Sequence, residues 1–325
     1  MSLNRRLFCH QAAALGALCT GALPTVRASA APALKSLQLV VPTPPGSQPD
    51  LIARWLLDPV ARRLAVTGQV INRPGAAGAL AVDAVLAAAP ETGTLLLGGL
   101  DHVAYSHLNS NRRALDPFVD FVPVAAANRD SWLLVTSADA GARSVAELVE
   151  RARGNGGLAY ASTGEGSTAH LLTARLCQAL GVQAQHVPYR DPWMPDLIAG
   201  RIHFVVAPTP AVLGAVRGGR VRALASLTDE RLPLLDAVPT LRELGWAGQV
   251  FHGGLFVFAP AALAAHAEAL NRALVAAQAE PELLQRYRDA AIEPTPLALP
   301  AVHDLVRQRL QQVDAMRLAV FGRTR

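Results

Sequence analysis

Cysteine is scarce in this chain: of its three cysteines, Cys9 and Cys19 fall in the first thirty residues and only Cys177 lies beyond them. With that segment removed no internal disulfide can form, whatever the redox state of the destination. Lysine is almost missing, Lys35 being the only one, and arginine carries the basic count. Residues 1–30 hold three of the 30 basic residues and none of the 25 acids, so the formal charge of +5 falls to about +2 without them. A chain so nearly neutral carries no message for nucleic acid, and none is expected as a partner. The sequence has no charge run, no low-complexity tail and no tandem repeat of fixed period. No Gly-x-Ser-x-Gly elbow is present, which removes a common hydrolase signature. His102 and His107 are five apart, while His252, His266 and His303 are scattered, so neither a metal site nor a cofactor is expected.

A long apolar run is missing too. The stretch over residues 12–23 is too short to span a bilayer. It follows Arg5-Arg6-Leu7-Phe8 and precedes Ala28-Ser29-Ala30, a small-x-small cleavage site, so residues 1–30 read as an export signal cleaved near Ala30. The paired arginines fit twin-arginine export, with ordinary Sec export as the alternative. Leu18 before Cys19 is not the small residue that lipoprotein processing wants. The expected product is a soluble, monomeric, periplasmic protein of about 295 residues, long enough for two domains with proper cores.

What is present is a repeated alternation of short apolar runs and helical segments. Strands are expected at 37–41, 69–72, 94–97, 131–137, 158–161, 185–189, 202–207, 221–227 and 252–259. Helices are expected after Ser47, after the turn at 73–78, from Ser144, Ser167, Asp191-Pro192 and Thr209-Pro210, and through most of the chain after Pro260. The pattern argues for an α/β fold with parallel sheets covered on both faces. A chain that builds one such unit, crosses to a second and returns to finish in helices implies two lobes. Residues 31–130 with 252–325 form lobe 1 and 131–251 form lobe 2, with hinges near 128–132 and 248–253.

The stretch Val40-Val-Pro-Thr-Pro-Pro-Gly-Ser-Gln-Pro-Asp50 shows what the strand ends offer. Ser47 and Asp50 have the Ser-x-x-acid spacing of a capping box, and Pro49 falls in the first helical turn, where a missing N–H costs nothing. The remaining free N–H groups suit an anion without any fixed positive side chain. Five helix starts follow strand ends, at Ser47, Gly75 to Gly78, Ser167, Asp191 and Thr209. In open α/β sheets such ends gather on one edge, where ligands bind. Each helix terminus contributes roughly 0.3 to 2 kcal/mol toward an anion, against about 8 kcal/mol for micromolar binding, so several must act together. Two enzymatic readings compete. Gly164-Glu-Gly166-Ser-Thr-Ala169 with Asp191 fits the loose form of a dinucleotide fingerprint, and Ser167 with His170 could form a nucleophile and base. The first is a weak signal alone, and His170 more often packs structurally in such a place.

Taken in order, Val41-Pro-Thr-Pro-Pro-Gly46 with Asp50, Asn72-Arg-Pro-Gly75 with Gly78, Thr94-Leu-Leu-Leu-Gly98, Tyr160-Ala-Ser-Thr-Gly164 with Gly166-Ser-Thr-Ala-His170, His186-Val-Pro-Tyr189, Arg220-Val-Arg-Ala-Leu224 and Val238-Pro-Thr240 form a set. With these motifs the chain resembles the substrate-binding proteins of the tripartite tricarboxylate transporters, the TctC or Bug type receptors. The resemblance implies a non-catalytic receptor of the two-lobed periplasmic-binding-protein fold (Venus flytrap, type II) with two crossovers between lobes. It would close over a small organic acid or amino acid and present it to membrane transporter subunits, or alternatively to a sensor kinase. The binding loops then fall on Pro44, Pro45, Gly46, Ser47 and Asp50, on Gly75, Ala76, Ala77 and Gly78, on Ser162, Thr163, Gly166 and Ser167, and on Tyr189, with Thr209 at a further helix start. The sequence departs from the family at Ser47, Gln48, Pro49, Ala77, Ala79 and Arg190-Asp191. Asp101, Glu165 and Asp191 are acids where the family more often has small or amide residues. If they face the cleft, the solute carries a cationic group beside its carboxylate; otherwise Asp191 is a cap and Glu165 a solvated loop tip. Trp193 could form a wall of the cleft.

Overall fold

The computed structural model describes residues 33–105, 115–154, 157–189 and 192–322. The stretch over residues 1–30 expected to be an export signal, His107, Arg190 and Asp191 lie outside the described residues.

Strands β1 (Ser36–Val41), β2 (Thr67–Asn72), β3 (Thr94–Gly98) and β4 (Phe121–Ala126) belong to a first sheet. Strands β5 (Trp132–Ser137), β6 (Leu158–Ser162), β7 (Ala184–Pro188), β8 (Phe204–Pro208) and β9 (Val221–Ser226) form a second. Strand β10 (Phe256–Pro260) then returns to the first, giving the orders β2-β1-β3-β10-β4 and β7-β6-β8-β5-β9. The chain thus crosses between sheets twice, over residues 127–131 and 227–255.

The expectation of parallel sheets needs correction, because both sheets are mixed. β10 runs antiparallel to β3 and β4, and β5 antiparallel to β8 and β9. The crossovers are the physical reason. β4 and β9 end on the edge where the chain leaves one sheet, so the next strand must start on that edge of the other sheet and run away from it. Strand β4 itself, and the short helix α3 (Leu100–Ala104), escape the sequence pattern.

The first sheet carries α1 (Gln48–Leu64) and α2 (Ala79–Leu86); the second carries α4 (Val145–Arg153), α5 (Thr168–Leu180), α6 (Met194–Ile198) and α7 (Thr209–Arg217). After β10 come α8 (Ala267–Gln278), α9 (Pro281–Asp289) and α10 (Leu299–Phe321). Leu37, Leu39 and Val41 of β1 pack with Ile52 and Leu56 of α1, Leu270 and Leu274 of α8 and Tyr287 of α9. Val40 points to the opposite face and joins a different cluster, which is why β1 is apolar on both faces at its end, Leu39-Val40-Val41. That second cluster spans both sheets: Val302, Val306 and Leu310 of α10 share it with Leu171, Leu172 and Leu176 of α5. Helix α10, expected with lobe 1, packs on both β4 and α5.

Helix starts follow the sequence in part. Ser144 accepts from the Glu147 N–H at 3.1 Å and Ser167 from the His170 N–H at 3.3 Å, as their capping positions predict. Ser47 occupies the N-cap of α1 but makes no capping bond through its side chain. Its hydroxyl donates instead to the Pro44 carbonyl at 2.7 Å and lies 2.6 Å from Thr43 Oγ1. The acidic half of the expected box also moves, Asp50 accepting from the Gly46 N–H at 2.8 Å, one residue before the cap. Thr209 is the first residue inside α7 with Pro208 at the cap position, and α6 starts from Trp193, not from Asp191-Pro192.

The exit from β4 is held by buried polar side chains. Asn271 donates to the Val124 carbonyl at 2.8 Å, Gln278 to Ala126 at 2.9 Å and Tyr287 to Ala127 at 2.8 Å. Asn128 Oδ1 accepts from the Leu255 N–H at 3.1 Å, and Asp130 and Gly253 pair through both backbone bonds. The two crossing segments are therefore tied to each other and to α8 and α9.

Candidate functional site

A cavity of about 810 Å³ lies between the two sheets, at the ends of β1, β3, β6 and β8. Its wall is mostly apolar, with Trp55, Trp132, Trp193, Phe251, Phe256 and Leu213 among its residues. That size and lining suit a small organic ligand. Polar groups on the wall include Ser47 and Gln48 at the start of α1, Asp101 and His102, Asp130, Ser162 at the end of β6 with Thr163, Thr168 at the start of α5, and Arg309 of α10.

The first turn of α1 is set by Asp50, which is 1% exposed. Its Oδ1 accepts from Asn72 Nδ2 at 2.9 Å and its Oδ2 from Arg54 Nε at 3.0 Å, besides the Gly46 N–H. Burial works to raise this carboxyl, but Arg54, Gly46 and Asn72 outweigh it and hold Asp50 below the usual carboxylate range. It braces the turn and does not line the cavity. Gly46, at φ 80°, supplies the left-handed residue that this turn requires.

On the other sheet, Ser162 lines the cavity while its hydroxyl lies 2.7 Å from His186 Nε2. His186 stacks on His170 with centroids 3.8 Å apart. Burial, then the neighbouring His186, push His170 down to about 4, so it is neutral at ordinary pH. Its Nδ1 accepts from the Gly166 N–H at 3.0 Å, and the Ser167 hydroxyl donates to the Gly164 carbonyl at 2.8 Å. The ring of His170 is thus turned to the loop and not to Ser167 Oγ, and the pair forms no nucleophile and base. Cys177 is buried, which pushes its thiol up to about 12.

Of the residues named from sequence, Gly46, Ser47, Asp101, Ser162 and Thr163 line the cavity, as does Trp193. Pro44, Pro45 and Asp50 stand behind the first turn. Gly75, Ala76, Ala77 and Gly78 form a loop one layer further out, where a Cβ on Gly78 would come within 2.5 Å of the His102 ring, itself part of the wall. Ala76 and Ala77 both sit in the left-handed region, at φ 49° and 51°. Glu165 is exposed and Gly166 is buried against the Arg317 guanidinium, neither of them lining the cavity. Tyr189 donates to Asp196 Oδ2 at 2.6 Å, and Thr209 is buried, accepting from Ser131 Oγ at 2.7 Å. Asp101 partly satisfies itself locally, its Oδ1 accepting from the His102 N–H at 3.1 Å.

Two cavity groups, on the first crossover and at the first residue of β5, have no counterpart in the motifs. Asp130 is 4% exposed; its Oδ1 accepts from Gln48 Nε2 at 2.6 Å and Asn128 Nδ2 at 2.5 Å, while Oδ2 has no hydrogen-bond partner among the described residues. Burial pushes this carboxyl up to about 7, against the two amides and with a smaller push from Glu293. Trp132 buries an indole N–H that also has no partner among the described residues. The signal for Asp130 in the sequence is faint, an acid immediately ahead of an unbroken apolar strand at an expected hinge. Arg309 was equally hidden; burial, aided by Arg129, lowers its guanidinium to about 10. Among the described residues no group of three or more histidine, cysteine or acidic side chains could hold a metal. No described helix is long and apolar enough to cross a membrane.

Residues 52–316 match the model of the "Tripartite tricarboxylate transporter family receptor". Protein BugT of Bordetella pertussis is 33% identical over 233 residues, covering 70% of this chain and 71% of BugT. MatC from Rhodopseudomonas palustris, solved with bound malate, superposes with a TM-score of 0.78 at 26% identity, over 86% of this chain and 98% of MatC. The R. palustris protein Rpa4515, solved with adipate, gives 0.77 at 27% identity, over 86% and 96%.

Proposed function

The chain belongs to the tripartite tricarboxylate transporter receptor family, and from that premise we propose that it captures a small carboxylated solute in the periplasm and hands it to a membrane transporter of the tripartite type. Its family and fold are those of solute-binding proteins, not of enzymes. One observation carries the proposal: the cavity between the sheets takes in the first turns of two long helices, Ser47-Gln48 of α1 and Thr168-Ala169 of α5, one from each sheet. First-turn N–H groups have no partner within their own helix and attract an anion. A carboxylate held by both turns would bridge the sheets, and contacts available only when both sides touch the solute favour the closed arrangement. The malate and adipate bound by two relatives support a carboxylate as the class. The apolar stretch with a small-x-small site in residues 1–30 supports the periplasmic location, and the two connections between the sheets support closure by hinge motion.

Thermal shift against mono-, di- and tricarboxylates and amino acids tests the proposal. At one hundred times its Kd a true ligand adds about 2.7 kcal/mol, a rise of several degrees. Small-angle scattering with that ligand should show a smaller radius of gyration. A full panel without any shift would refute the receptor reading.

A further inference from the structure

Asp130 is a buried acid with half of its carboxylate committed and half open. Both amide donors, Gln48 from α1 and Asn128 from the crossover, converge on Oδ1 at 2.6 and 2.5 Å. Oδ2 has no partner among the described residues, although the side chain is on the cavity wall and 4% exposed. No arginine or histidine forms an ion pair with it among the described residues. A carboxylate left in this condition is costly, since burial without a countercharge disfavours the ionised form. The surrounding donors nevertheless favour ionisation, because both stabilise a carboxylate oxygen. Asp101 adds a second acid to the same wall, and the Trp132 indole N–H, two residues from Asp130, offers a donor of opposite polarity.

Resting on the receptor reading above, we propose that the solute carries a protonated amine beside its carboxylate, and that Asp130 Oδ2 accepts a hydrogen bond from that ammonium group. Asp130 is then a specificity-determining residue: it rewards a cationic donor and leaves the plain acid facing an unpaired carboxylate. The rival arrangement, in which Asp130 is protonated on Oδ2 and donates to a second ligand carboxylate, keeps the same amide pair on Oδ1 and differs in making the opposite proton balance. Other charged groups around Asp130 are Glu293 beside the crossover and, on the same wall, Asp101, His252 and Arg309. With the Asp130 carboxyl at about 7, an ammonium ligand draws off its remaining proton, whereas a dicarboxylate would bring a proton in.

The test is calorimetric titration of the exported protein with matched pairs: aspartate and succinate, glutamate and glutarate, phenylalanine and 3-phenylpropionate, and 4-aminobutyrate and butyrate. At least one amine-bearing member should bind 100-fold or more tightly than its partner without the amine. Repeating that titration at pH 7 in phosphate and in Tris should show net proton release. Asp130→Asn keeps an acceptor for Gln48 and Asn128 and turns an NH₂ toward the cavity, so it should weaken the amine-bearing ligand at least 100-fold while changing its partner less than about threefold. Equal or tighter binding by the amine-free partners, or proton uptake, overturns the inference and leaves the receptor reading standing. Binding by no member of either set overturns both. The wild-type pair comparison and proton count decide the matter even if the Asn variant folds poorly.

Discussion

Replacing Asp130 by asparagine in the unliganded protein should uncouple its stability from pH in a defined window. The carboxyl moves from 3.8 in the ordinary state to about 7 when buried here, a rise of about three units. At about 1.4 kcal/mol per unit this is a cost of about 4 kcal/mol for holding the ionised form in the fold. The sign follows from proton binding. Between about pH 4 and 7 the folded chain holds a proton that the unfolded chain has released, so stability contributed by this group is complete below pH 4 and is lost as pH rises through 7. Asparagine has nothing to titrate and keeps the Oδ1 bonds. Urea denaturation of both proteins at pH 4.5, 6, 7 and 8.5 gives the difference directly, and groups common to both cancel. The variant should gain on wild type by about 3 kcal/mol from pH 4.5 to 8.5, the first part of the effect lying below the series. Parallel curves, or a gap widening toward acid, would refute the burial argument and with it the premise that Asp130 lacks a countercharge.

Thr168→Pro tests the helix terminus without removing the helix, since proline at the first helical position only deletes an N–H, and Ser167 is already extended at ψ 156°. Melting should stay within a few degrees while solute affinity falls about 10- to 100-fold, measured by calorimetry; unchanged affinity would place the carboxylate elsewhere. Ala76→Gly and Ala77→Gly should each stabilise the loop before α2 by about 1 kcal/mol in urea, because both alanines sit at positive φ. For His170, lowered to about 4 by burial and by His186, the folded state refuses a proton that the unfolded state takes up. Its contribution to stability is present above about pH 6.5 and lost as pH falls toward 4, so the gap between wild type and His170→Gln should narrow from pH 7.5 to pH 5; a constant gap would argue against a neutral buried ring.

Much of the fold was legible in local pattern. The runs at β1, β3, β6 and β8 are apolar because both of their faces are covered, and Ser144 and Ser167 sit where a helix start needs an acceptor. Hinges were expected near 128–132 and 248–253, where sheet-forming runs stop and resume; in the structure the second connection between sheets is longer, leaving β9 after Ser226 and reaching β10 at Phe256. Strand β4 was missed because Pro123 breaks its pattern; strands β5 and β10 were expected, but not their antiparallel direction, which is a property of where the chain re-enters a sheet.

By itself the sequence determined most of the alternation of strands and helices, the helix starts at Ser144 and Ser167, and the family, because these depend on spacing along the chain. Only the tertiary structure decided which turn residues face the cavity. Asp50 looks like a site residue by spacing, yet it is drawn inward by Arg54, Asn72 and Gly46. Asp130 looks like a hinge residue, yet Gln48, 82 positions earlier, holds one of its oxygens, and the buried side chain's other oxygen has no hydrogen-bond partner among the described residues. Burial and partnership arise between segments far apart in sequence, and a carboxylate takes its chemistry from them.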